Sequence, residues 1–420
     1  MSQRWMIPIF VCSLLFTGCA SVRSGSRGHC NPKAGSTKQN AGPQSSQPSE
    51  SGTCTGTETM AEEVGRNTKP GSQAIVRKPG AQVVFDNVVF YDGYAAKVDT
   101  APVSPGVLRL ANHLNARKLD HAALTAIGGD LTFKLDVKAA CDNYDRIGHV
   151  GLALTPKGAL TYDPETTPRI EIGRFITPFM DKNRQPDTVP YTFQADQVAQ
   201  ILNDVALLDR YDFWVETSIF GTSSAARTQV SGCAGRNDVF VASLNMVSTQ
   251  PARSGGAPLF LQPLSHLKDL NNYAADATDA VGQTVRSFKF TTSSSVANAR
   301  LVVLTSAHGA GNGGEEYQRR VHQLFFDDIQ VATYTPGGES CEPYRRYNTM
   351  GNGIYGFSPR SDQSWANSNW CPGASVNSRQ IELNTIAPGS HTFKIAVPGA
   401  RFSGRDGRIV VSFWVLGVAN

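Results

Sequence analysis

The chain has 420 residues, of which 40% are hydrophobic and 18% charged, and its formal net charge is +4. This composition predicts packed cores and excludes disordered and fibrous proteins, and at about 150 residues per domain the length favours two domains. The small net charge, without a run of Lys and Arg interleaved with aromatic residues, argues against a nucleic-acid partner.

Residues 1–18 are predicted to be a signal peptide. Arg4 precedes an apolar stretch over residues 5–16, which is shorter than the roughly 20 residues that a membrane span needs. The sequence FTGCA at 16–20 resembles a bacterial lipoprotein cleavage box and predicts that Cys19 becomes the lipidated N-terminus. The alternative is an ordinary cleaved signal with an incidental cysteine. In either case we expect an exported protein, and with the lipid a membrane-anchored one in the periplasm or on the cell surface.

Residues 19–80 are predicted to be a tether. They are rich in Ser, Gly, Thr, Pro, Gln and Asn, and no Phe, Trp or Tyr occurs among residues 21–80. Such a segment cannot bury enough apolar surface to offset its chain entropy. We therefore expect no chemistry before about residue 81, and membrane contact through the lipid anchor only.

Two sets of short β-branched and aromatic runs follow, separated by turn residues. The first set predicts strands over residues 82–90, 130–137, 146–154, 169–177, 211–220 and 238–248, with one helix over 196–208. The second predicts strands over 284–291, 299–306, 322–334, 379–383, 391–397 and 408–416. We expect an all-β protein with domains at 81–254 and 255–420, built as sandwiches or jelly rolls of antiparallel sheets with one wet face.

Several common site motifs are absent or out of context. Residues 309–314 satisfy G-x-G-x-x-G, but a dinucleotide site requires a βαβ unit, and a loop beside a site is the better interpretation in all-β surroundings. There is no H-x-H, H-E-x-x-H or G-x-S-x-G. Cys141, Cys233, Cys341 and Cys371 lack zinc-ribbon spacing and allow three disulfide connectivities in an exported protein. We therefore expect no metal.

Three carboxylates are the remaining candidates. Asp145 lies in an acidic and aromatic approach to a strand, and Glu216 lies inside the apolar run 213–220, where alternation could also point it outward. Glu316 follows the glycine-rich segment, and by itself it is an ordinary loop glutamate.

Read together, these segments resemble the bacterial peptide-N-glycosidase F family, amidases that remove whole N-linked glycans. EIGRFITPF at 171–179 is nearly identical to the family's stretch, CDNYDR at 141–146 is similar to its Cys-Asp-x-Trp-Asp-Arg, and VET at 215–217 to its Thr-Glu-Thr. Glu316 is followed by Arg320 and His322 at the family's spacing, and WCPG at 370–373 repeats a family motif. The matches are collinear from about residue 82 to the C-terminus.

The resemblance implies two adjacent jelly-roll domains with the active site in the cleft between them. It implies that Asp145 is the primary catalytic carboxylate, that Glu316 acts through water, and that Glu216 is needed for activity or for cleft integrity. Neighbouring positions expected to bind substrate are Asp142, Tyr144, Arg146, His308, Tyr317, Arg320 and Trp370. The implied substrates are N-linked glycoproteins or glycopeptides, with no cofactor, and we expect a monomer.

The chain departs from the family pattern in its aromatic residues and cysteines. Tyr144, Tyr317, His308 and Ser218 stand where the family has tryptophans, and Asn367 replaces a sugar-contacting arginine, which could alter glycan specificity or weaken binding. The resemblance implies a Cys341–Cys371 disulfide. Cys141 lacks its family partner nearby, and Cys233 is the candidate within the same domain. A non-catalytic glycan-binding sandwich and an endoglycosidase that uses paired carboxylates remain as alternatives.

Overall fold

The computed structural model describes residues 75–95, 97–252, 256–270, 279–309, 314–338, 340–350, 369–402 and 407–420. All of them belong to one unit, Thr57–Asn420. The predicted signal peptide and Cys19 lie outside the described residues, as does the tether as far as residue 74. Residues 77–80, at the end of the predicted tether, are part of the folded protein, because Lys78 N–H donates to Thr125 O (2.7 Å) and Gly80 N–H to Ala126 O (3.1 Å).

The protein is built from antiparallel strands, which confirms the all-β prediction. The strands of the first half are β1 (Ala81–Tyr91), β2 (Val107–Ala111), β3 (Leu114–Lys118), β4 (Thr132–Ala139), β5 (Ile147–Pro156), β6 (Arg169–Ile176), β7 (Thr188–Gln194), β8 (Tyr211–Ile219) and β9 (Asp238–Val247). They form a four-stranded sheet in the order β1-β9-β4-β7 and most of a six-stranded sheet in the order β6-β5-β8-β3-β2.

The second half contributes two further sheets. Its strands are β10 (Leu259–Asp269), β11 (Val285–Thr292), β12 (Val296–His308), β13 (His322–Phe326), β14 (Ile329–Tyr334), β15 (Ser375–Val376), β16 (Arg379–Ile386), β17 (Gly389–Ala396) and β18 (Arg408–Ala419). The sheet orders are β10-β18-β12-β16 and β11-β17-β13-β14. The short β15 instead pairs with β6 and so adds a strand of the second half to a sheet of the first.

Several element predictions need correction. The helix predicted over 196–208 is two helices, α2 (Asp196–Asn203) and α3 (Val205–Arg210), because Asp204 is extended and accepts from Leu207 N–H as an N-cap. The strand predicted over 322–334 is a hairpin that turns at Asp327 and Asp328, both with positive φ. Strands β2, β3, β7, β10 and β15 were not predicted, nor were the short helices α1 (His121–Thr125) and α4 (Ala226–Gln229) and the 3-10 helix Glu342–Tyr347.

The prediction of one wet face holds for one sheet of the first half and fails for the other. In β4 every second residue is buried, as in an ordinary half-exposed strand. In β5, β6 and β8 nearly all residues are buried. The six-stranded sheet is therefore covered on both faces, and on one of them it meets the second half of the chain.

The junction of the two halves is fixed by a buried ion pair. Arg174 on β6 donates two bonds to Glu171 (2.8 and 2.7 Å), and its Nη1 reaches across to Ser306 Oγ (2.8 Å) and Val410 O (2.8 Å) of the second half. Trp414 Nε1 donates to Glu171 O (3.3 Å). One hydrophobic cluster continues through this junction, since it includes Val302, Leu304 and Trp414, and a second cluster lies within the second half.

Both expected disulfides are present, Cys141–Cys233 and Cys341–Cys371. Among the described residues, none of the helices combines the length and apolar character that crossing a bilayer requires.

Candidate active site

Asp145 lies in the loop that leads from β4 into β5. The loop is tied to Cys233 through Cys141, and Thr177 bonds to it at two points: the Thr177 hydroxyl donates to Tyr144 O (3.0 Å) and accepts from Arg146 N–H (2.7 Å). The Asp145 side chain is half-buried. The loop therefore holds one carboxylate in place at the edge of the junction without covering it completely.

Glu316 lies beyond the end of β12, in a turn of the second half. Its Oε2 accepts from Gly309 N–H (3.2 Å), and Asn369 holds the turn by donating from its side-chain amide to Glu316 O (2.8 Å) and Gln318 O (2.7 Å). Burial raises the pKa of Glu316, and the hydrogen bonds from Tyr317 and Gly309 oppose that rise in part. Residues 310–313 of the glycine-rich motif lie outside the described residues.

The two carboxylates come from different halves of the chain and influence each other. Burial and then the negative charge of Glu316 raise the pKa of Asp145 to about 7, against the opposing charge of Arg146. A pair of nearby carboxylates cannot easily ionise together, so one proton tends to be shared between them. This arrangement supplies both a proton donor and a proton acceptor near neutral pH.

Each of the two predicted arginines is held by an acidic neighbour. Arg146 donates from Nε (2.6 Å) and Nη2 (3.2 Å) to Asp142, while Arg320 donates from Nε (2.9 Å) and Nη2 (3.2 Å) to Glu315. Arg146 is the one whose charge acts on Asp145. Asp142 is almost fully buried and also accepts from Thr222 N–H (2.8 Å), so it positions Arg146 and does not line the surface.

The predicted aromatic positions fall into two groups. His308 stacks on Trp370 with ring centroids 5.4 Å apart, and Trp370 Nε1 donates to Ala307 O (2.8 Å). Both rings are buried, so they pack inside the protein and do not offer an exposed ring face to a sugar. Tyr144 is half-buried, with the Arg146 guanidinium 5.4 Å from its ring centroid, and Tyr317 packs against the Cys341–Cys371 disulfide. Asn367 lies outside the described residues, and Ser218 is buried in β8.

Glu216 lies in a different network from the other two acids. Glu216 pairs with Gly151 on β5, and Gly151 lies six residues beyond Asp145. At ~3.3 Å per residue, these six residues span up to about 20 Å. Its Oε1 contacts His149 Nε2 (3.2 Å), Arg169 Nη1 (3.1 Å) and His266 Nε2 (3.5 Å), and its Oε2 accepts from Tyr162 (2.5 Å). The structure therefore brings together two of the three predicted acids, and the fully buried Glu216 lies outside that pair.

The environment of Glu216 shifts its pKa in the opposite direction. Burial alone would raise the pKa, but the hydrogen bond to His149 and the positive charge of Arg169 outweigh it and hold the pKa well below its ordinary value. Glu216 is thus an ionised carboxylate inside the protein. Its hydrogen bonds join three strands of the first half, and His266 of β10 approaches it to 3.5 Å from the second half.

The sequence interpretation missed two residues near the site. Tyr94, in the turn after β1, is 71% exposed, and its phenol lies close enough to Arg146 to influence the guanidinium. Asn369, which holds the Glu316 turn, directly precedes Trp370. The sequence offered only weak signals for them: Tyr94 is an aromatic residue in a turn, and Asn369 directly precedes the matching WCPG motif. The fold also brings His149 and His266 to Glu216, although the spacing of the histidines had predicted no metal cluster.

Comparisons with known proteins agree with this architecture. Residues 82–221 match the family model described as Peptide-N-glycosidase F, N terminal, and residues 272–416 match Peptide-N-glycosidase F, C terminal. No curated protein matches the sequence.

Two solved structures match the chain, and the likeness to the first of them shows the fold. PNGF-II matches with a TM-score of 0.60 and 18% identity over 81% of this chain, and the match spans 66% of the PNGF-II chain. PNGase F, a glycosylasparaginase from Flavobacterium meningosepticum, matches with a TM-score of 0.48 and 14% identity, over 81% of this chain and 96% of that one.

Proposed function

The chain belongs to the peptide-N-glycosidase F family, and from that premise we propose that it hydrolyses the side-chain amide of glycosylated Asn in N-linked glycoproteins or glycopeptides. The products are the glycan as a glycosylamine and a peptide with Asp in place of Asn. The observation that carries the proposal is the pairing of Asp145 and Glu316 across the two halves, with the pKa of Asp145 raised to about 7.

In the proposed reaction the two acids divide the proton transfers. Glu316, as carboxylate, orients a water molecule and takes its proton while the water oxygen attacks the amide carbon. Asp145, in its protonated form, donates to the nitrogen that leaves with the sugar. A pKa near the working pH suits a group that must exist in both states. In total, one water is consumed and one amide bond is broken. Asp145 loses one proton and Glu316 gains one, so the pair again holds a single proton.

The developing charge on the amide oxygen also needs a partner. Arg146 is better placed for this task than Arg320, because Arg146 is the arginine whose charge acts on Asp145. Its Nη1 is not among the donors of the pair with Asp142. Prearranged donors of this kind stabilise a tetrahedral intermediate more than the ground state. Glu216, which is fully buried, supports the cleft and does not contact substrate in this proposal.

We also propose that the protein is exported and anchored by a lipid. The signal-like residues 1–18 and the FTGCA segment at 16–20 support this part of the proposal. Labelled fatty acid should be incorporated into the wild type and lost in Cys19→Ser, and incorporation by both would contradict a lipid at that residue.

Mass spectrometry of a glycopeptide with one N-glycan tests the reaction. An amidase leaves Asp where Asn stood, whereas an endoglycosidase leaves Asn with one sugar and a binding protein leaves the glycopeptide intact. Either of the last two products overturns the proposal.

Asp145→Asn should lower kcat on the order of 10²–10⁴-fold, while Asp86→Asn, which removes an exposed acid on β1, should not.

A further inference from the structure

Two histidines and one carboxylate meet inside the protein, apart from the Asp145 and Glu316 pair. They are His149 on β5, Glu216 on β8 and His266 on β10, so the cluster joins both halves of the chain. One ligand atom of each residue lies within 4.8 Å of the others. Two neutral imidazoles and a carboxylate form a donor set that proteins use for zinc.

The spacing of the donors fits a tetrahedral ion. Metal–ligand bonds of about 2.0–2.2 Å at tetrahedral angles separate neighbouring donor atoms by roughly 3.3 Å. Glu216 Oε1 lies 3.2 Å from His149 Nε2 and 3.5 Å from His266 Nε2. Both carboxylate–imidazole distances are therefore close to those of a tetrahedral ion, and the ligand atoms of the two histidines lie within 4.8 Å of each other.

His266 supplies an independent sign that something is bound here. Its side chain is only 7% exposed, yet neither Nδ1 nor Nε2 has a hydrogen-bond partner among the described residues. A buried polar atom without a partner is costly and uncommon, so such a group calls for a ligand or a water. The Nε2 atom faces Glu216, and the ring meets that of His149 edge-on at 5.0 Å between centroids.

The surroundings orient the carboxylate. Tyr162 occupies Oε2 (2.5 Å) and Arg169 donates to Oε1 (3.1 Å), the kind of supporting bonds that ligating carboxylates have in metal sites. A carboxylate oxygen has two lone pairs, so Oε1 can accept from Arg169 and face an ion as well. A Cβ at Gly151 would lie 2.8 Å from Oε1 and 3.0 Å from Cγ of Glu216, so the glycine allows the carboxylate to pack closely against β5.

We propose that His149, Glu216 and His266 bind one divalent transition-metal ion of the zinc class, which cross-links β5 and β8 to β10. Mixed imidazole and carboxylate donors favour such an ion over Ca²⁺ or Mg²⁺, which prefer oxygen ligands. The role is structural, and the amidase reaction proposed above does not depend on it. The positive charge of Arg169 weakens the site without blocking it.

Zinc titration of the full chain tests the proposal. After treatment with a chelator, isothermal titration calorimetry should show one Zn²⁺ per chain with a Kd on the order of 1 µM or tighter. His266→Ala should weaken binding at least tenfold, while His121→Ala, which removes an exposed histidine of α1, should leave it unchanged. Arg169→Gln should strengthen binding, because it removes a positive charge next to the ion.

The outcomes against the proposal are equally specific. Absence of binding by the folded wild type at tens of micromolar zinc overturns it, and so does equal affinity in His266→Ala. If His266→Ala does not fold, Co²⁺ bound to the wild type decides: intense visible absorption bands indicate a tetrahedral site and support the proposal. Weak bands of an octahedral ion indicate adventitious surface binding only and contradict it. A water molecule that satisfies His266 would give no response to either metal.

Discussion

Two carboxylate environments lie at the junction of the halves, and they shift proton affinity in opposite directions. Asp145 has another carboxylate, Glu316, as its neighbour, and its pKa is raised to about 7. Glu216 has Arg169 and two imidazoles as neighbours, and its pKa is lowered although its side chain is more deeply buried. Burial raises a carboxylate pKa in both places, so the sign of the result is set by the neighbours: another carboxylate for Asp145, and the hydrogen bond to His149 with the charge of Arg169 for Glu216. One environment favours proton exchange, and the other keeps a fixed negative charge.

The largest expected difference between the two environments is in folding stability. Glu216→Gln leaves the Arg169 guanidinium without its anionic partner, and breaking a buried ion pair on one side costs about 3–5 kcal/mol. Glu316→Gln removes a buried negative charge that repels Asp145 and should change the free energy of unfolding little or raise it. Urea denaturation of the full chain in the presence of a chelator measures both.

The control is Glu342→Gln, since Glu342 is an exposed acid whose ion pair is with Arg345 on its own 3-10 helix. Its effect on the free energy of unfolding should be small beside that of Glu216→Gln, because surface substitutions away from buried networks usually change stability little. If Glu316→Gln destabilises the protein as much as Glu216→Gln, the two environments do not differ in the way described.

The second expected difference is in pH dependence. The pKa of Asp145 is raised from about 3.9 unfolded to about 7 folded, so between these values the folded state binds more protons than the unfolded state. Stability should therefore be greatest below about pH 4 for this group and should fall as pH rises towards about 7. The slope is at most about 1.4 kcal/mol per pH unit for one proton.

Asp145→Asn should flatten this part of the stability curve, and denaturation midpoints measured from pH 4 to 8 would show it. Asp86→Asn removes a charge from an exposed site on β1 and should leave the slope unchanged. A wild-type slope of the opposite sign that Asp145→Asn abolishes would mean that Arg146, and not Glu316, dominates the environment of Asp145.

The sequence predicted the parts of the fold that depend on local pattern. Alternation in β4 predicted its buried face, and the apolar runs predicted β5, β6 and β8. Alternation allowed Glu216 to point into water, but its side chain is buried. The reason is that the six-stranded sheet is covered on both faces, so neither side of β8 is exposed to solvent. The cover comes from the second half of the chain, and no periodicity within β8 contains that information.

Contacts between distant residues were also beyond local patterns. The resemblance placed Asp145 and Glu316 in one cleft, and in the structure the charge of Glu316 acts on Asp145. The same resemblance grouped Glu216 with them, whereas its partners are His149, Arg169, Tyr162 and His266. His266 lies on β10, a strand that the sequence did not predict, so its approach to His149 could not be expected from the spacing of the histidines.

The smallest expected effect concerns Tyr94, the exposed aromatic residue beside Arg146. If the proposed reaction takes place at Asp145, a substrate next to Arg146 contacts this ring, and loss of one aromatic contact is worth about 0.5–1.5 kcal/mol. Tyr94→Ala should therefore raise KM about three- to tenfold with kcat nearly unchanged, the pattern of lost ground-state binding.

Tyr94→Phe keeps the ring and should stay within about twofold of the wild type, as should Leu160→Ala, which removes an exposed apolar side chain elsewhere in the first half. A fall in kcat at constant KM for Tyr94→Ala would instead assign the ring to the transition state. An unchanged KM would mean that substrate approaches the Asp145 and Glu316 pair from the side of the second half.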